Sequence, residues 1–118
     1  MIERVVWGLL ALVHLVPALA LVRPALIERL YGVAPGGDVF VLLHHRAALF
    51  AAICAACVWA VFEPGSRPLA GLVTTISVVA FLVIYVMSGQ PPALRTIALA
   101  DLALLPALLF VLGKAWIA

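Results

Sequence analysis

Four apolar runs, at about 5–22, 40–62, 69–88 and 93–112, leave this chain few ways to fold. Some twenty apolar residues in a helix, at ~1.5 Å per residue, cross the ~30 Å hydrocarbon core of a bilayer. Hydrophobic residues make up 68% of the 118 positions and charged residues 10%, more apolar surface than a soluble domain of this length needs. The length suits a single domain. The expectation is therefore an all-α, four-transmembrane-helix bundle with the bilayer as its first partner.

Composition also excludes classes of function. A net charge of +2, scattered along the chain, supplies no basic patch with interleaved aromatics for nucleic acid. Two cysteines make no disulfide framework. The first apolar run lacks a small-residue cleavage site ahead of a soluble domain, so it reads as a span rather than a cleavable signal peptide.

The breaks between runs are short and rich in turn residues. Arg23-Pro24 ends the first span, and Pro24 opens a short helix that reaches Tyr31, with Gly32 just past its end. Leu26, Ile27 and Leu30 share one side of it and Glu28 and Arg29 the other, as in an amphipathic helix lying in the membrane interface. Residues 33–38, 63–68 and 89–92 complete the breaks. Short connections favour antiparallel neighbours, hence an up-down bundle. Trp7 and Trp116 are the expected interface anchors. Arg4, Arg67 and Lys114 flank one side and Arg23, Arg29 and Arg95 the other, a tie that leaves the orientation open.

Within the spans, the second carries small residues at Ala47, Ala48, Ala51, Ala52, Ala55 and Ala56. Small residues let helix backbones approach in lipid, so this helix is expected at the centre of the bundle. Cys54 and Cys57 have redox spacing but lie well inside the span, where small thiols filling a helix interface are the simpler reading. On the third span Thr74, Ser77, Phe81, Tyr85 and Ser88 form a stripe expected to face the interior. Pro17 offers no N–H to the Val13 carbonyl, which is then free near His14.

The residues that carry chemistry begin at His44-His45-Arg46. A charge in hydrocarbon costs at least ~2.5–3.5 kcal/mol, so an intramembrane Arg points to function and needs a partner. At ~1.5 Å per residue, Arg46 lies about 9 Å into the second span, and Asp101 about 12 Å into the fourth, from the same side. His14 is near mid-depth from the other side. The spacing thus predicts an Arg46–Asp101 ion pair clustered with His14 and with His44 or His45, which stand ~100° apart so that one faces inward. One reading makes the pair a device for helix register. The other makes the cluster a polar site for a small lipophilic molecule: Arg46 polarises an oxygen, a histidine moves a proton, and Asp101 sets a tautomer or acts as base. Thr74, Ser77, Tyr85 and Arg95 are candidate ligand contacts. Proton-transfer chemistry of the isomerase type fits such a set, and no cofactor motif is present. A haem held by His14 with His44 or His45 is the cofactor alternative. A non-catalytic accessory subunit of a larger membrane complex, or a homo-oligomer, suits the small size equally.

The run Leu30-Tyr31-Gly32-Val33, the run His44 to Phe50, and Ala93-Leu94-Arg95 followed by Asp101 resemble a group of small bacterial four-helix inner-membrane proteins, loosely DoxX-like. The resemblance implies the fold and a bacterial inner-membrane location, and it places Arg46, Arg95 and Asp101 in shared motifs. It implies no defined activity. Small multidrug transporters share the span count, and some insert in both orientations, but their acidic residue in the first span is replaced here by His14.

Overall fold

The computed structural model describes residues 1–117, and among these the fold is entirely helical. Helix α1 (Ile2–Ala18) continues through a 3₁₀ turn at Leu19–Leu21; α2 (Ala25–Tyr31) is short; α3 (Asp38–Phe62), α4 (Arg67–Met87) and α5 (Arg95–Trp116) are long. Four segments, Ile2–Leu21, Asp38–Phe62, Pro64–Met87 and Pro92–Trp116, are long and apolar enough to cross a membrane. They begin up to five residues earlier than the apolar runs alone suggest, because the residues just ahead of the runs, Pro64 to Arg67 above all, are helical too.

In none of these spans is more than 33% of the apolar stretch buried inside the molecule. Leu12, Trp59 and Leu109 are 60%, 67% and 73% exposed. So much outward apolar surface has hydrocarbon, not water, as its counterpart. The longest dimension, 45 Å, matches a bilayer with its headgroup regions. The protein is a multi-pass membrane protein by these criteria.

Neighbouring helices follow the up-down order. Helix α1 packs chiefly on α3, α4 chiefly on α5, and the two pairs meet through α3 with α4 and α1 with α5. Helices α3 and α5 therefore stand on a diagonal. Helix α2 tucks Ile27 and Tyr31 against α3 and the 3₁₀ turn and leaves Glu28 and Arg29 exposed, as its amphipathic pattern requires. Gly32 ends it in the left-handed conformation (φ 69°), where a side chain is strained.

The interior has two parts. The larger core gathers Trp7, Leu10, Ile53, Cys57, Ala60, Val78, Leu108 and Val111 in the half that holds the 63–68 turn. Trp7 is not an interface anchor. It is fully buried, and its ring passes close to Gly71, where a Cβ would lie 3.7 Å from Cη2. Room made by a glycine on α4 draws the indole inward. Beside it, Arg67 donates to the Ala60 carbonyl (2.8 Å), the Val61 carbonyl (3.3 Å) and the Glu3 carboxylate (3.1 Å), which ties the α3–α4 turn to the start of α1. Trp116 does sit at the boundary and donates to the Pro68 carbonyl. The smaller core, Ala20, Ile27, Tyr31 and Ala47, lies at the opposite end. The alanine face of α3 is only partly covered: Ala47 is buried, whereas Ala52 and Ala55 are exposed.

Candidate functional site

The stripe on α4 separates by depth. Thr74 belongs to the large core, where its hydroxyl meets the Cys57 thiol at 3.6 Å; it lines no cleft described here. Cys54 donates to the Ala11 carbonyl at 3.3 Å. Both thiols thus serve helix contacts. Further along α4, Ser77, Phe81, Tyr85 and Ser88 line a cleft of about 340 Å³ between α3 and α4, together with Arg46, Leu49 and Phe50. That volume suits a small ligand.

Arg46 is the centre of this cleft. Its guanidinium carbon lies 4.9 Å from the centroid of Phe50, 5.0 Å from Phe81 and 5.8 Å from Tyr31. Ring faces attract a cation by ~0.5–1 kcal/mol each, and by about 2 when desolvated, which offsets much of the cost of an Arg in hydrocarbon. Rings do not neutralise the charge, and they offer no lone pairs to the five N–H donors of the fork. Among the described residues, no carboxylate comes within 4 Å of Arg46, and no side chain or carbonyl accepts from it; the ion pair present is Arg67–Glu3.

The expected Arg46–Asp101 pair is therefore not formed. Equal depth was a necessary condition, but α3 and α5 face each other across a diagonal, and Phe50 and Tyr31 fill the seam. Asp101 instead lines a second cleft of about 320 Å³ with His14, Val13, Pro17, Tyr31 and Phe50, on the other side of the Phe50 ring. His14 is 2% exposed, and its Nδ1–H donates to the Leu10 carbonyl at 2.8 Å. The ring lies 5.9 Å from Phe50.

The two adjacent histidines point apart. His44 donates from Nε2 to the Leu21 carbonyl at 2.9 Å, which caps the 3₁₀ turn at the end of the first span. His45 is exposed on the outer face of α3 and joins neither cleft. Arg95 and Tyr85 line a further cleft, of about 600 Å³, between α4 and α5. Of the residues expected to cluster, the structure brings together His14 with Asp101, and Arg46 with Ser77 and Tyr85. His44, His45 and Thr74 stand apart from both groups, and Arg95 shares a cleft with Tyr85 alone. Among the described residues, no group of three or more His, Cys, Asp or Glu is placed to hold a metal ion.

Tyr31 and Phe50 are the residues that the sequence reading missed. Tyr31 follows Ile27 by four positions on α2, so helical periodicity already puts it on the buried face. Phe50 follows Arg46 by four on α3, the spacing at which a guanidinium meets a ring. Compared with models of protein families, with curated proteins and with solved structures, the chain matches none.

Proposed function

We propose that this protein binds a small lipophilic molecule through an oxygen-bearing head at Arg46, with its apolar part in the cleft between α3 and α4. The observation that carries this reading is the Arg46 guanidinium: charged, held among three aromatic rings, and given no acceptor by the described residues. Ser77 and Tyr85 add hydroxyls to the same cleft, and Leu49, Ile53 and Leu94 its apolar walls. A carboxylate or a polarised carbonyl supplies the lone pairs that the planar fork requires. Isomerase-type conversion needs a proton acceptor on the same bound molecule, and the nearest ones, His14 and Asp101, lie beyond Phe50. Binding is thus the function the geometry supports best. The resemblance noted above favours a bacterial inner membrane as its place.

Native mass spectrometry of protein extracted gently from its own membrane tests this. The expected result is a retained small molecule, lost in Arg46→Leu and held more weakly, by about tenfold, in Arg46→Lys, which keeps the charge but not the fork. Because Arg46 has no protein acceptor, the Leu variant should fold with undiminished stability. Equal retention by Arg46→Leu overturns the proposal. Recovery at fixed ratio with larger subunits, and with no small molecule, favours the accessory-subunit reading instead.

A further inference from the structure

The second cleft has the opposite polarity to the first. With Nδ1–H committed to the Leu10 carbonyl, neutral His14 presents Nε2 as a bare acceptor, on a ring that is 98% buried by its 2% exposure. Nε2 is more than 4 Å from the Asp101 carboxylate, since the two form no ion pair, yet both residues line the same cleft. Among the described residues no hydrogen bond or ion pair reaches that carboxylate. Pro17, also in the lining, deprives the Val13 carbonyl of its helical donor. Acceptors thus outnumber donors, of which the lining supplies only the Tyr31 and Thr96 hydroxyls. Apolar atoms form almost all of the surface that the lining as a whole presents to the cleft, so a bound molecule is lipophilic apart from its head.

We infer that the cleft formed by α1, α2 and α5 is a binding site for the ammonium head of a lipophilic amine, set between the Asp101 carboxylate and His14 Nε2. A hydroxyl would satisfy the acceptors but leave the carboxylate charge uncompensated at membrane depth. An ammonium meets both needs, with three N–H donors and a positive charge. The ring faces of Phe50 and Tyr31 in the same lining favour a cation again. A carboxylate head is repelled by Asp101. Arg46, behind Phe50 and Tyr31, bears the same charge as the amine, so it weakens this site while it builds the other one. The inference therefore does not rest on the Arg46 reading, and one substitution separates the two.

The test is calorimetric titration of octylamine, octanol and octanoate into the protein in nanodiscs of neutral phosphatidylcholine, with empty nanodiscs subtracted. In Arg46→Leu, which removes the carboxylate-binding fork of the other cleft, octylamine is expected to bind, with octanol and octanoate each weaker by about tenfold or more. Asp101→Asn keeps the side chain's shape and removes its charge; it should cost octylamine at least about tenfold, and His14→Phe a smaller loss. Arg46→Leu should leave octylamine affinity unchanged or improved. Octanoate or octanol binding as tightly as octylamine to Arg46→Leu overturns the inference. So does undiminished octylamine binding by Asp101→Asn.

Discussion

The two halves of this bundle use aromatic residues in opposite ways. In the half that holds the 63–68 turn, Trp7 is fully buried among Leu10, Cys57, Ala60, Leu108 and Val111, and even its indole N–H has no partner. In the other half, Phe50 stands as a partition with a cleft on each side, touched by a guanidinium on one and an imidazole on the other. The first half encloses only neutral polar groups, such as the Thr74 hydroxyl, and gathers its charges at the boundary, in Arg67–Glu3. The second keeps its charges inside and spaces them with rings. Packing holds the helices in one half and leaves open clefts in the other.

The largest expected effect tests that division. In lipid, transfer from water contributes little to helix association, so the cost of truncation is lost van der Waals contact and the cavity left behind. Trp7→Ala should cost about 3 kcal/mol, since every face of the ring is in contact. Phe50→Ala should cost nearer 1 kcal/mol, because two clefts already flank it, while joining them into one. Unfolding midpoints in mixed detergent measure both. Equal losses would abolish the distinction between a packed half and a partitioned one.

A smaller effect sharpens the comparison at the open end. His44 holds the Leu21 carbonyl at the end of the first span, and His45 holds nothing. His44→Ala should cost about 1 kcal/mol and speed amide exchange locally through residues 19–31, whereas His45→Ala should change neither. Exchange that responds equally to both would mean that the cap does not control this end.

What was legible in the sequence follows from periodicity. Four apolar runs, the two faces of α2 and the stripe on α4 from Thr74 to Tyr85 each repeat a helical spacing and are where the pattern puts them, whereas Ser88, the last of the stripe, is exposed. The ~100° step between His44 and His45 likewise foretold that they diverge. What was not legible depends on which helices oppose each other. Arg46 and Asp101 share a depth, but depth says nothing of the diagonal that parts them. Trp7 carries an anchor's chemistry at an anchor's position, and only Gly71, 64 residues away in sequence, reveals the space that takes it in. The cost of a charge in hydrocarbon marks Arg46 as needing company; that its company is three rings depends on Phe50, Phe81 and the short helix that delivers Tyr31.

Tyr31 provides the finest test of the partition, because it lies between the two charges. Burial holds its hydroxyl above the ordinary value of 10.0; the Arg46 charge opposes this shift and the Asp101 charge adds to it. A phenol whose folded value is raised keeps its proton where the unfolded chain has lost it. The stability that this linkage supplies is complete below pH ~10 and is lost as the pH rises through the folded value. Unfolding in detergent should therefore become easier above pH ~10, and Tyr31→Phe should flatten that part of the slope. With Tyr85→Phe as background, the ultraviolet absorbance of the phenolate follows the same group directly. Arg46→Leu, by removing the opposing charge, should push its appearance to higher pH, and Asp101→Asn should bring it lower. Shifts of opposite sign from two substitutions on different helices would show that one ring senses both clefts. A phenolate that forms at the ordinary value in all three proteins would mean that water reaches Tyr31, and that the partition between the clefts is not closed.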